Sequence, residues 1–271
     1  MAVTRIDACF SRLRTAGRKA LIPFITAGDP SLEATVPVMH ALVDAGADVL
    51  ELGVPFSDPM ADGPTIQRSS EQALACGAGR QYVLDTVARF RETDTVTPVV
   101  LMGYLNPVEI RGATRYAEEV IAAGVDGVLL VDLPPEEADE IRAAFTAAGL
   151  ALILLASPTS SSARLDTLCA AAQGYLYYVS FAGVTGASER LDSAAAGERL
   201  RLLRAGANVP VVAGFGIKDA ASAAAMAIDA DGVVVGSALV ASMSAAVDPA
   251  EAAALAGQFL RPLRAALDGA R

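Results

Sequence analysis

The chain has 271 residues, 21 basic and 31 acidic, for a formal charge of −10, enough for one large core or two small ones. That balance excludes the clustered Lys and Arg of a nucleic-acid binder, and 53% apolar residues, 56 of the 271 being alanine, exclude a disordered chain. The longest apolar runs, near 125–133 and 150–156, are far shorter than the roughly 20 residues that span a bilayer, and no signal-like run follows the first charges; a cytoplasmic protein without membrane contact is expected.

An amphipathic segment at 4–14 comes first and is expected to cap the bottom of a barrel. Strand 1 at 20–26 (ALIPFIT) leads to a helix signal at Ser31–Thr35, and strand 2 at 48–52 (DVLEL) to a wide step with room for an extra helix near 65–77 before one near 80–92. Strands 3 to 8 follow at 97–102, 125–131, 150–156, 174–179, 209–213 and 231–235. Their near-continuous hydrophobicity, as in LALILLA, suits parallel strands buried on both faces. Polar or acidic residues open further helices at Glu136, Ser162 and Lys218. Gly46, Gly124, Gly149 and Gly206 are expected to end helices in the left-handed conformation. Eight such units predict an α/β (β/α)8 TIM barrel over 1–271 as one domain, with an N-terminal helix and an extra helix after strand 2. A doubly wound sheet would want a G-x-G-x-x-G turn after strand 1, where ITAGDPS stands instead.

Barrel chemistry belongs at the C-terminal ends of strands. Glu51 lies at the end of strand 2, where alternation turns it away from the face of Leu50 and Leu52. In an apolar barrel mouth its pKa would rise toward neutrality and fit it for proton transfer; a rim residue and a partner for a buried arginine are the bland readings. Asp58 and Asp62 lie in the Pro- and Gly-rich loop PFSDPMADGPT and read as turn formers or as catalytic acids. Asp29 and Asp132 also follow strands and read equally as loop-fixing groups and as substrate contacts. One histidine, His40, and three cysteines without Cys-x-x-Cys spacing, Cys9, Cys76 and Cys169, argue against a Ser-His-Asp triad or a multi-histidine metal site. Glycines recur after strands 6, 7 and 8, as Gly183–Gly186, Gly214-Phe215-Gly216 and Gly236-Ser237. Backbone N–H groups at such turns can approach a phosphate closely. The two lysines are Lys19, before strand 1, and Lys218, which reads as a solvent-facing residue at a helix start; neither suits an imine mechanism.

Leu50–Gln67 (LELGVPFSDPMADGPTIQ), with PFITAGDP at 23–30, MGYLNP at 102–107, Asp132-Leu133-Pro134, GVTG, GFGI and Gly236-Ser237 in the same order, resembles the α-subunit family of tryptophan synthase over nearly the whole chain. The resemblance implies a (β/α)8 lyase that splits indole-3-glycerol phosphate into indole and glyceraldehyde 3-phosphate. It implies no cofactor in this subunit, and a β-subunit partner that carries pyridoxal phosphate in an αββα tetramer. It places the acid–base glutamate at Glu51 and the aspartate facing the indole nitrogen at Asp62. Tyr177 falls near the reacting centre, Thr185 in a closing loop, and phosphate contacts at Gly186, Gly214, Gly216, Gly236 and Ser237. The indole slot would draw on Phe24, Ile66, Met102, Leu129, Leu155 and Phe215. Loops 53–62 and 183–193 would close over substrate. Phe181, where many members have arginine, and Gly103, where a larger residue is common, depart from the family form. A stand-alone lyase and a non-catalytic phosphate-binding scaffold are the alternatives.

Overall fold

The computed structural model describes residues 3–179, 193–214 and 216–269. Eight strands, β1 Ala20–Thr26, β2 Leu50–Gly53, β3 Val99–Gly103, β4 Gly127–Leu130, β5 Ala151–Ala156, β6 Leu176–Val179, β7 Val211–Gly214 and β8 Gly232–Val235, form a closed barrel in sequence order. Every pairing is parallel, and β8 returns to β1 with Leu21 opposite Val233. Strand alternation sorts the apolar residues into two cores. Ile22, Val100, Leu129, Ile153, Tyr175, Val212 and Val234 pack together inside the barrel. Leu21, Leu50, Leu52, Val99, Leu101, Val128, Leu152 and Leu176 belong to the outer core, which the helices share.

Twelve helices are present among the described residues: α1 Arg5–Thr15, α2 Thr35–Asp44, α3 Pro64–Ala75, α4 Arg80–Arg91, α5 Asn106–Arg111, α6 Ala113–Ala122, α7 Asp139–Ala148, α8 Ser162–Ala171, α9 Ser193–Gly206, α10 Ala220–Ala227, α11 Ser237–Met243 and α12 Pro249–Gly269. None is long and apolar enough to cross a membrane. The wide step after β2 holds α3 and α4, as its length suggests. Helix α1, capped by reciprocal Thr4–Asp7 hydrogen bonds, turns Ile6, Cys9, Phe10 and Leu13 into the inner core. It plugs the N-terminal end of the barrel and leaves the other end for a site.

Several strands begin later than their hydrophobic runs suggest, and one to three residues before each even strand a side chain bonds across to the odd strand that precedes it. Asp48 accepts the backbone N–H of Leu21 on β1 at 3.0 Å, and Asp126 that of Val99 on β3 at 2.9 Å. Gln173 accepts Leu152 on β5 at 3.0 Å, and Asp231 accepts Val211 on β7 at 2.9 Å. Each buried strand start thereby finds the acceptor it requires. The three carboxylates also pair with Arg264, Arg91 and Arg204 respectively. The neutral Gln173 amide needs no counter-ion and donates to the Thr146 hydroxyl instead. Gly46, Gly124 and Gly149 do take positive φ after their helices, but Gly206 does not. It remains the last residue of α9, and Ala207–Pro210 lead from there into β7.

Candidate active site

A cavity of about 390 Å³ opens at the C-terminal end of the barrel. Phe24 from β1, Met102 from β3, Leu129 from β4, Leu155 from β5 and Ile66 from α3 give it an apolar wall. Glu51, Asp62 and Tyr177 supply polar groups, and the turns after β7 and β8 supply Gly216, Lys218, Gly236 and Ser237. Eleven of the residues expected at the site are thus brought together: Phe24, Glu51, Asp62, Ile66, Met102, Leu129, Leu155, Tyr177, Gly216, Gly236 and Ser237.

Glu51 sits on β2 opposite Phe24 of β1 and Val100 of β3, with 0% of its surface exposed. Its inward orientation follows from alternation with Leu50 and Leu52, both in the outer core. Tyr175 donates to Oε1 at 2.6 Å, while Oε2 is buried without a hydrogen-bond partner among the described residues. Burial raises the carboxyl to about 7, with the Tyr175 hydrogen bond opposing the rise. A carboxyl near neutrality can both give and take a proton at working pH. Glu51 is therefore neither a solvent-facing rim residue nor paired with an arginine among the described residues.

Asp62 lies half-buried in the loop between β2 and α3. Tyr104, after β3, donates to its Oδ2 at 3.0 Å and accepts the N–H of Ala61 at 3.1 Å. Burial raises the Asp62 carboxyl, and the Tyr104 bond works against that shift. Phe56, from the same loop, stacks on Tyr104 with ring centroids 4.9 Å apart. The loop is thus docked on one tyrosine through three residues, Phe56, Ala61 and Asp62. Asp58 is exposed, accepts the Ser57 hydroxyl and turns the chain through its carbonyl, which accepts the Met60 N–H at 2.8 Å. Asp132 fixes loop geometry by accepting the Leu105 N–H at 2.8 Å, and Asp29 is buried beside β1.

The glycine turns divide. Gly216 has φ of +72° with open space where a side chain would start, and a Cβ at Gly236 would touch Phe24 at 3.4 Å. At Gly214 a Cβ would lie 2.1 Å from the Tyr177 hydroxyl. Gly214 makes room for Tyr177 and is not among the described residues that line the cavity. Thr185, Gly186, Phe215, Phe181 and nearly all of loop 183–193 lie outside the described residues.

Tyr175, Tyr104 and Lys218 were not anticipated at the site. The Tyr175 signal was present, since in GYLYYV it shares a strand face with Tyr177. Tyr104 had none, because nothing in MGYLNP ties it to a loop forty residues earlier. Lys218 is exposed as expected, yet it also lines the cavity.

The family model for the tryptophan synthase alpha chain matches residues 10–266. The tryptophan synthase alpha chain of Xanthomonas campestris pv. campestris (strain B100) is 73% identical over 267 residues, 98% of each chain. That of Xanthomonas axonopodis pv. citri (strain 306) is 74% identical over 264 residues, 97% of this chain and 98% of the relative. Among solved structures, tryptophan synthase subunit alpha from Legionella pneumophila str. Paris is similar with a TM-score of 0.90 and 45% identity, covering 99% of this chain and all of its own. A chain of tryptophan synthase from M. tuberculosis, in its aminoacrylate-bound form, is similar at 0.85 and 34% identity, over 97% of this chain and 99% of its own. Agreement at that level in sequence and in fold, over nearly every residue, means that the chain belongs to the tryptophan synthase alpha chain family.

Proposed function

We propose that the chain carries out its family's reaction, cleavage of indole-3-glycerol phosphate to indole and glyceraldehyde 3-phosphate in tryptophan biosynthesis, with Glu51 as proton donor and acceptor and Asp62 facing the indole nitrogen. The observation that carries this assignment is the Glu51 carboxyl: fully buried on the cavity wall, near neutrality, with one oxygen held by Tyr175 and the other unpaired.

The scissile C–C bond has no carbonyl beside it, so its electrons need an acceptor before they can leave. Glu51 Oε2 delivers a proton to indole C3, which turns the ring into an indolenine cation. Asp62 accepts a hydrogen bond from N1–H and stabilises the charge that develops there; that cation in turn favours the ionised carboxylate. The bonding electrons flow into the ring, the adjacent glycerol hydroxyl becomes the aldehyde carbonyl, and its proton returns to Glu51. Phe24, Ile66, Met102, Leu129 and Leu155 form the slot for the indole, and Tyr177 stands beside the reacting centre. The N–H groups at Gly216, Gly236 and Ser237, with the Ser237 hydroxyl, hold the phosphate. The ring is its own electron sink, so this reading needs no cofactor in the chain. A β subunit bearing pyridoxal phosphate is the partner, in an αββα tetramer in the cytoplasm.

Glu51→Gln is expected to fold and bind substrate while kcat for indole release falls ~10²–10⁴-fold, the usual worth of a general acid–base group. Asp62→Asn is expected to lower kcat more than it raises KM, since the carboxylate matters most once N1 is cationic. Retention of more than about a tenth of kcat in Glu51→Gln would remove that residue from proton transfer.

A further inference from the structure

Among the described residues lining the catalytic cavity, Glu51, Asp62 and Lys218 are the ones with ionisable charge. The two acids come from β2 and its loop. The cation comes from the turn after β7, two residues beyond Gly216, and β7 pairs with β8, whose turn carries Gly236 and Ser237. With Glu51 protonated for its part in the reaction, the Asp62 carboxylate still gives the cavity a negative potential that opposes entry of a dianion. Backbone N–H groups answer that repulsion with partial charges only.

The structure around Lys218 leaves its ammonium available. Its backbone N–H donates to the Ser222 hydroxyl at 3.1 Å, which fixes the residue at the head of α10. The adjacent carboxylate, Asp219, is taken up in capping that helix, accepting the N–H of Ser222 at 2.8 Å and its hydroxyl at 2.7 Å. No ion pair holds the Lys218 ammonium among the described residues. The other lysine of the chain, Lys19, lies at the opposite end of the barrel and donates to the Ala230 carbonyl.

We propose that Lys218 is a specificity-determining residue of the lyase reaction, binding the substrate phosphate and steering the substrate so that its indole end enters toward Glu51 and Asp62. The inference rests on the reading of Gly216, Gly236 and Ser237 as the phosphate subsite. A cavity negative on its β2 side and positive on its β7 side favours one orientation of a molecule that is aromatic at one end and dianionic at the other.

Lys218→Ala, Lys218→Arg and Gly236→Val, each checked by circular dichroism, separate the two readings, with glycerol 3-phosphate as competitive probe. For Lys218→Ala the KM for indole-3-glycerol phosphate and the inhibition constant of the probe are expected to rise about tenfold, the worth of one charge-assisted contact. The kcat should stay within about twofold, since the contact is made equally in ground and transition states. The rise should shrink in ~0.5 M salt, and Lys218→Arg should restore most of the affinity. Gly236→Val should lose probe binding, because its side chain fills the space above Phe24. Unchanged constants in Lys218→Ala alongside lost binding in Gly236→Val would overturn the role of Lys218 and keep the phosphate subsite. Unchanged binding in both variants would overturn both.

Discussion

Burial of Glu51 ties its chemistry to the stability of the fold. Its carboxyl stands at about 7 in the folded chain against an ordinary 4.5, so across that window the folded state binds a proton that the unfolded state has released. Stability contributed at this site is therefore greatest below 4.5, falls as pH rises, and levels off above 7. The shift corresponds to about 3 kcal/mol. Glu51→Gln, which does not titrate, is expected to gain that much relative to the parent between pH 4 and pH 8, read as the difference between urea unfolding curves at the two pH values. A pH-independent difference would show that the carboxyl is not held near neutrality. Lyase activity should likewise decline above about 7, as the proton needed at C3 is lost. At this scale much was legible in the sequence: period-2 alternation turned Glu51 away from the face of Leu50 and Leu52, and the same rule sets Tyr175 on one face with Tyr177. Tyr104 was not legible, because its contact with Asp62 arises from how the β2 and β3 loops fold together.

Elements were legible where hydrophobic runs set them and less so at their ends. All eight strands lie within a few residues of ALIPFIT, DVLEL and their successors, but Asp48, Asp126 and Asp231, which those runs include, precede their strands and each accepts a hydrogen bond from the neighbouring strand. Helix α1 does more than close the barrel floor. Phe10, 5% exposed, packs on Tyr175 with ring centroids 5.8 Å apart, and Tyr175 holds Glu51. Phe10→Ala is expected to destabilise the protein by about 3–4 kcal/mol through the lost transfer energy and the cavity it leaves. A loss below about 1 kcal/mol in chemical denaturation would mean that α1 rests on the barrel without sealing it.

The molecule as a whole offers a protruding feature beside the site. Pro55, Phe56 and Pro59 stiffen the loop after β2, Met60 at its tip is 83% exposed, and Phe56 leans on the tyrosine that holds Asp62. A rigid loop loses little entropy on docking, and on the proposed assignment contact with a β subunit there would reach Asp62 through two side chains, Phe56 and Tyr104. Asp58→Ala is expected to lower β-stimulated indole release more than basal release, with sedimentation of mixed chains at ~10 µM showing whether the complex persists. No complex between the parent chains at that concentration would favour a stand-alone lyase; equal losses of both activities with assembly intact would end the coupling role of Asp58. The N-terminal rim has its own large-scale consequence. Asp48, Asp126, Gln173 and Asp231 each reach from an even strand to the odd strand before it, so the rim is stitched in pairs, β1 with β2, β3 with β4, β5 with β6 and β7 with β8. A break between α7 and β5 leaves all four stitches within one piece or the other, two in each. Backbone hydrogen bonds carry the lower edge around the full circle of eight strands, but its side-chain bonds fall into four strand pairs, a grain of two within a closure of eight.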